Sequence, residues 1–198
     1  MPSPLVSATL QAACLSALSA TLAQLLTAYR TSVSYTLNPT PIVQFVLITL
    51  VSCPPNFVWQ EFLEETFPGT IVSPTGERKL DVGNTFKKFA IDQTLGASVN
   101  TIIFIVGMGA MKGKGTATIW RDVQRVRTLL TTGLLGLKLT RVQDTFLLIK
   151  SGLKLWPLVS LFNFTVVPVH RRVIVGSVVG LFWGIYLNLF INQDTSAA

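Results

Sequence analysis

The chain has 198 residues, of which 49% are hydrophobic and 13% are charged, and its formal net charge is +7. Soluble domains carry about 25% charged residues, and the mean hydropathy of this chain is +0.54, which does not fit a water-soluble enzyme or binding domain. We therefore expect an all-α integral membrane protein, a helical bundle whose single membrane domain covers residues 1–198.

Long apolar stretches predict the membrane spans. The four predicted spans are residues 5–29, 41–59, 89–111 and 173–192. Each is close to the roughly 20 residues that a helix needs to cross a bilayer. Pro54 and Pro55 predict a kink or an end in the second span. The Pro-interrupted apolar segment 155–169 leaves a fifth span open.

Two charged segments lie between the spans. Residues 61–88 hold five acids, four bases and several turn residues, which predicts a solvated loop. Residues 112–154 hold nine bases and two acids, with apolar residues at every third or fourth position from Val123. This pattern predicts a basic amphipathic helix at the membrane interface. The same segment is a candidate binding site for an import receptor.

Small residues recur at intervals of four and predict close helix packing. The first span carries such a ladder at Ala8, Ala12, Ser16, Ala20, Gln24 and Ala28. The last span carries Gly176, Gly180 and Gly184. The sequence leaves open whether the glycines pack within one chain or against a second copy in a homo-oligomer.

Polar side chains inside the spans are the candidate functional residues, because polar groups are costly in lipid and should face protein or water. They are Asp92, Gln93, Asn100 and Asn163. Two interpretations stay open. In the first, Lys88 and Asp92, one helical turn apart, pair at the headgroup level, and in the second the polar groups line a water-filled path.

No pattern in the chain indicates catalysis. The one histidine, His170, precedes Arg171 and Arg172, which is typical of a headgroup anchor. Cys14 and Cys53 lack metal-ligand spacing. We therefore expect no enzyme activity, no cofactor, no metal site and no nucleic-acid partner, and we expect membrane lipid to be the main partner.

The C-terminal part of the chain resembles the signature of the Mpv and twenty-two-kilodalton peroxisomal membrane protein family. The residues that carry the resemblance are Trp156, Pro157, Asn163, Phe164, Pro168, Arg171, Trp183, Tyr186 and Leu187. The resemblance implies a four-span organelle membrane protein. Members of the peroxisomal branch are regarded as pores for small solutes, and no family residue is established as catalytic.

Some positions depart from the family pattern. Ser19 and Ala20 stand where the mitochondrial inner-membrane branch usually has Gly-Asp, which favours the peroxisomal branch. Cys53, Gln60, Ser98 and Ser160 stand in place of the usual Gly, Tyr, Pro and Gln. The resulting hypothesis is a channel-like pore in the peroxisomal membrane. The alternatives are a membrane scaffold or organelle-sorting protein, and a mitochondrial inner-membrane member of the same family.

Overall fold

The structure, a computed structural model, describes residues 3–32, 34–72, 77–124 and 155–194. Its helices are α1 Pro4–Thr31, α2 Pro39–Thr66, α3 Val82–Ile91, α4 Ala97–Met111, α5 at 116–124, α6 Leu155–Thr165 and α7 Val169–Asp194. Strands β1 Thr70–Val72 and β2 Arg78–Leu80 pair antiparallel between α2 and α3. This helical architecture confirms the all-α prediction.

Three of the four predicted spans correspond to helices that are long and apolar enough to cross a membrane. They are α1, α2 and the continuous helix Val82–Met111, with 28, 28 and 30 residues. At about 1.5 Å per residue each exceeds the roughly 30 Å hydrocarbon core. The fourth predicted span lies within α7, which has 26 residues. A π-helical turn, Asp92–Gly96, joins α3 to α4.

The second span does not end at its two prolines. α2 continues through Pro54 and Pro55 to Thr66. Each proline removes a backbone hydrogen bond, and membrane helices tolerate that loss. α3 begins at Val82, where the Asp81 carboxylate accepts a hydrogen bond from the Asn84 amide at 2.9 Å. The predicted solvated loop 61–88 was therefore too long at both ends.

The apolar segment 155–169 breaks before its second internal proline. α6 has 11 residues, Leu155–Thr165, and α7 starts directly after Pro168. Eleven helical residues measure about 17 Å, roughly half of the hydrocarbon core. The described helix is too short to form a fifth crossing by itself.

The chain divides into two compact units, Met1–Pro54 with Val173–Ala198, and Pro55–Arg172. In the first unit the small-residue ladder of α1 faces protein. Ser16 and Thr49 hydroxyls lie 2.6 Å apart, and the Gln24 amide exchanges two hydrogen bonds with the backbone of Asn38. The predicted packing role of this ladder is therefore confirmed at α2.

The glycines of α7 differ in their surroundings. A Cβ built on Gly184 would lie 2.9 Å from Ser19 Oγ, whereas one built on Gly176 meets no atom within 4 Å. Ser19 Oγ also donates a hydrogen bond to the Leu181 carbonyl at 3.4 Å. Gly184 thus serves packing within the chain, and the homo-oligomer hypothesis stays a prediction for the open side near Gly176.

The second unit contains the described start of the basic segment. In α5, Ile119 packs on Gly109, where a Cβ would lie 2.8 Å from Ile119 Cγ1. Val123 is buried, while Trp120 and Arg121 are exposed. α5 is therefore amphipathic, as predicted for 112–154. Residues 125–154 lie outside the described part of the chain, so the prediction stays untested there.

Candidate polar site in the second unit

A charged cluster, defined as Glu64, Lys88 and Arg172, lies where α2 ends, α3 begins and α7 begins. Glu64 Oε2 accepts from Lys88 Nζ at 2.7 Å and from Arg172 Nη2 at 2.6 Å. The Lys88 side chain is 0% exposed, Arg172 5% and Glu64 29%. Charges this buried are maintained only when they are paired and hydrogen-bonded. The cluster therefore ties three chain segments together.

Close packing surrounds these charges. Lys88 Nζ lies 5.5 Å and the Arg172 guanidinium carbon 5.0 Å from the centre of the buried Phe164 ring, within the range of a cation–π interaction. A Cβ on Gly69 would lie 2.7 Å from Lys88 Nζ, and the Gly69 amide donates to Glu64 Oε1 at 2.9 Å. Only glycine leaves room for the ammonium at this position.

A second cluster surrounds Asp92 and includes Trp59, Gln60 and Ser160. Asp92 Oδ1 accepts from Trp59 Nε1 at 3.1 Å and from Gln60 Nε2 at 3.2 Å. Asp92 Oδ2 accepts from Ser160 Oγ at 2.7 Å. Neutral donors from α2 and α6 thus hold the carboxylate near the start of the predicted span 89–111, and they compensate for its transfer from water.

The two clusters are stacked one helical turn apart. Gln60 precedes Glu64 by four residues on α2, and Lys88 precedes Asp92 by four on α3. Residues four apart share a helix face at a rise of about 6 Å. Asn100 follows Asp92 by eight residues and lies in α4, beyond the π-helical turn Asp92–Gly96. A Cβ on Gly96 would lie 2.7 Å from Trp59 Nε1, so glycine at this position allows the indole to reach Asp92.

Several buried polar atoms around the clusters have no hydrogen-bond partner among the described residues. They are Gln60 Oε1, Thr85 Oγ1, Asn163 Oδ1 and Arg172 Nη1. Buried polar atoms are almost always paired with protein or with ordered water. All four belong to the second unit.

The structure joins some predicted site residues and separates others. Gln93 Nε2 lies 3.4 Å from Asp92 Oδ2, and Asn163 Nδ2 donates to the Arg172 carbonyl at 3.4 Å. Asn100 makes no side-chain hydrogen bond within the described ranges and is partly exposed. Asp92, Gln93 and Asn163 therefore lie in or beside the polar clusters, while Asn100 extends from them along α4.

Two interpretations of charged residues were wrong. Lys88 pairs with Glu64 and not with Asp92, so the predicted headgroup-level pair does not form. Arg172 is buried, which differs from an exposed headgroup anchor, whereas Arg171 is exposed as expected. The sequence predicted a solvated loop at Glu64. Its partners Lys88 and Arg172 lie 24 and 108 residues away, and no local pattern reveals pairs at such distances.

The family-signature residues have structural roles at α6 and α7. Phe164 supports the charged cluster, Asn163 binds the start of α7, and Pro168 precedes that helix. The Trp183 and Tyr186 rings stack with centroids 5.4 Å apart. Trp156 is 38% exposed, Pro157 is partly exposed, and the Leu187 side chain lies outside the described part of the structure.

Gln60 and Ser160, which replace the usual Tyr and Gln of the family pattern, both donate to Asp92. A hydrogen-bond donor is therefore present at both positions even though the residue types differ.

Comparison with known proteins agrees with the resemblance. A family model described as Mpv17 / PMP22 family matches residues 139–188, a stretch that contains every signature residue. The chain is 26% identical over 157 residues to PXMP2/4 family protein 3 of Dictyostelium discoideum, covering 79% of this chain and 70% of that protein. No solved structure matches the chain.

Two further relatives bear organelle names. Peroxisomal membrane protein PMP22 of Arabidopsis thaliana is 24% identical over 145 residues, covering 73% of this chain and 62% of that protein. Mitochondrial inner membrane protein Mpv17 of Caenorhabditis elegans is 41% identical over 51 residues, covering 26% of this chain and 28% of that protein. With its apolar helices and its C-terminal signature, the chain is a membrane protein that is similar to the Mpv17/PMP22 family, whose model matches residues 139–188.

Proposed function

We propose that this protein forms a narrow water-filled path for small solutes across the peroxisomal membrane, without catalysing a reaction. The observation that supports the proposal is the polar stripe on the helix Val82–Met111, at Lys88, Asp92 and Asn100, beside buried polar atoms that lack a partner among the described residues. Ionisable residues within spans are rare and typically mark solute or proton paths.

The surroundings of the stripe differ from ordinary helix packing in their unpaired buried polar atoms. A bundle that packs shut would satisfy its internal polar atoms with protein groups, because an unsatisfied buried group costs about 1–3 kcal/mol. Gln60 Oε1 belongs to the cluster around Asp92, and Arg172 Nη1 belongs to the charged cluster. Neither atom has a partner within the described residues. Water at these atoms would connect the two clusters.

The choice of the peroxisome rests on Ser19 and Ala20. Ser19 lies on α1 where this helix packs closely against Gly184 of α7. The mitochondrial branch usually has Gly at this position. Relatives of the chain carry both organelle names. Imaging of the tagged full chain against peroxisomal and inner-membrane markers separates the two locations, and residence in mitochondria would contradict the peroxisomal proposal.

Planar-bilayer recording of the purified chain tests the path. Asn100→Leu adds an apolar branch to the stripe without breaking a hydrogen bond of the described residues, so we expect folded protein with a clearly smaller unit conductance. The matched control is Val99→Leu, the same kind of change at an exposed apolar position one residue away. Equal conductance in both variants, or silence from folded wild-type protein, would contradict the proposal.

A scaffold function is the second candidate, and the exposed Trp120 favours it. Trp120 is 62% exposed on α5, next to exposed Arg121 and near exposed Lys112 and Lys114. A basic helix with an exposed indole suits a membrane surface or an import receptor. Deletion of 112–154 distinguishes the candidates, because a scaffold would lose its bound partner while a pore would still conduct after reconstitution.

A further inference from the structure

The buried guanidinium of Arg172 has donors that no group of the described residues uses. Its Nε donates to the carbonyls of Asn163 and Val167, at 3.1 and 3.2 Å, and its Nη2 donates to Glu64. Nη1 is buried and has no partner among the described residues. An arginine fork carries five N–H groups and cannot lose its charge, so an acceptor is missing at Nη1.

Lys88 adds a second set of donors to the same place. Its ammonium has three N–H groups, and one of them binds the Glu64 oxygen that also binds Arg172. Thr85, one turn earlier on α3, has a buried hydroxyl without a partner in the described chain. Unused donors of Arg172 and Lys88 therefore lie in the charged cluster, and the only unpaired side-chain acceptor of a residue that contacts Arg172, among the described residues, is Asn163 Oδ1.

The charge balance of the cluster also favours binding of an anion. Two cations share one carboxylate, which leaves an excess of one positive charge. Asp92 lies one turn deeper, and both its oxygens are occupied by donors from Trp59, Gln60, Ser160 and Gln93. Its charge reduces the excess at a distance but supplies no acceptor to Arg172 Nη1.

The cluster is accessible from one side. The Glu64 side chain is 29% exposed while both cations are almost fully buried, so the carboxylate forms the open side of the cluster. Glu64 lies two residues before the end of α2, and Arg172 lies in the first turn of α7. A ligand from the membrane–water interface would therefore meet Glu64 first.

We propose that Lys88 and Arg172 form an oxyanion-binding site in which the Glu64 carboxylate occupies the place of the ligand. The ligand is a carboxylate or phosphate group, which an arginine fork binds through two parallel N–H bonds and a lysine through a point charge. It comes either from a dissolved anion or from a lipid headgroup. The site does not depend on whether solutes cross the membrane.

Thermal unfolding of the full chain in a phosphate-free maltoside detergent tests the site, with inorganic phosphate titrated against chloride at equal ionic strength. Glu64→Gln removes the internal carboxylate, so phosphate should raise the Tm of this variant by about 4 °C at tenfold excess over its Kd. Wild-type protein should respond less. The matched control Glu65→Gln makes the same change at an exposed neighbour and should respond like wild type.

Equal responses of Glu64→Gln and Glu65→Gln to phosphate would overturn the proposal. If Glu64→Gln is folded only in phosphate, its recovery as monodisperse protein in phosphate and its loss in chloride support the site. Failure to recover it in either salt counts against the site.

A second arm identifies the source of the oxyanion, using phosphatidylcholine vesicles with and without phosphatidic acid. Stabilisation of Glu64→Gln by phosphatidic acid alone assigns the site to a lipid headgroup, and stabilisation by free phosphate assigns it to a dissolved anion. No stabilisation in either arm would refute the site.

Discussion

Replacement of Lys88 by methionine tests whether the charged cluster holds the second unit together. The Lys88 side chain is fully buried, and its ammonium lies 2.7 Å from Glu64 Oε2 and 5.5 Å from the centre of the Phe164 ring. Methionine has a similar length and volume, so the substitution removes charge and hydrogen bonds with little change in packing. The measured effect will therefore report mainly on the ion pair.

The expected loss in the free energy of unfolding depends on the interactions that Glu64 retains. Removing one partner of a buried ion pair costs about 3–5 kcal/mol, because an uncompensated charge stays behind. Glu64 keeps Arg172 and the Gly69 amide and is 29% exposed, so its charge stays compensated and we expect a smaller loss of about 1.5–3 kcal/mol, the value of a hydrogen bond to a charged group.

The assay is reversible unfolding by dodecyl sulfate in mixed micelles, followed by tryptophan fluorescence. Lys87→Met is the matched control, since Lys87 is exposed and its ammonium lies 6.0 Å from the Phe67 ring centre. An exposed cation–π contact contributes about 0.5–1 kcal/mol. In a Glu64→Gln background the cost of Lys88→Met should shrink by about 1–2 kcal/mol. Equal losses for Lys87→Met and Lys88→Met would refute the reasoning.

Glycine substitutions test the close contacts in each unit. Gly69→Ala would place a Cβ 2.7 Å from Lys88 Nζ, and we expect a loss of about 1–3 kcal/mol in the same unfolding assay; an unchanged free energy would contradict this contact. Gly184→Ala should destabilise the chain by a similar amount, because Ser19 Oγ lies 2.9 Å from the new Cβ. Gly176→Ala meets open space and should stabilise the chain by up to about 1 kcal/mol through helix propensity. A Gly184→Ala variant more stable than Gly176→Ala would be inconsistent with the packing of α1 on α7.

Most of the helical architecture could be predicted from hydrophobicity, since lipid demands long apolar runs. The predicted first span, 5–29, lies within two residues of α1 at each end. The second span was cut short because Pro54 and Pro55 are strong breakers in water, whereas α2 passes through both. Segment ends that were placed at prolines were therefore the least predictable.

The polar site was only half predictable. Asp92 stood out because a carboxylate within an apolar run is costly, but its donors Trp59 and Ser160 lie 33 and 68 residues away. Arg172 follows an exposed arginine and has the same local sequence context, so only the tertiary fold distinguishes its burial. Pairing over such distances leaves no periodic signal in the sequence.

The central claim, that water reaches the polar stripe of the helix Val82–Met111, is tested most directly by cysteine accessibility. In a background with Cys14 and Cys53 changed to alanine, Asn100→Cys and Val99→Cys are reconstituted in vesicles and exposed to a charged, membrane-impermeant thiol reagent. The account predicts fast modification at position 100 and protection at position 99, which faces lipid. Equal rates at both positions, or protection at both, would contradict a water-filled path.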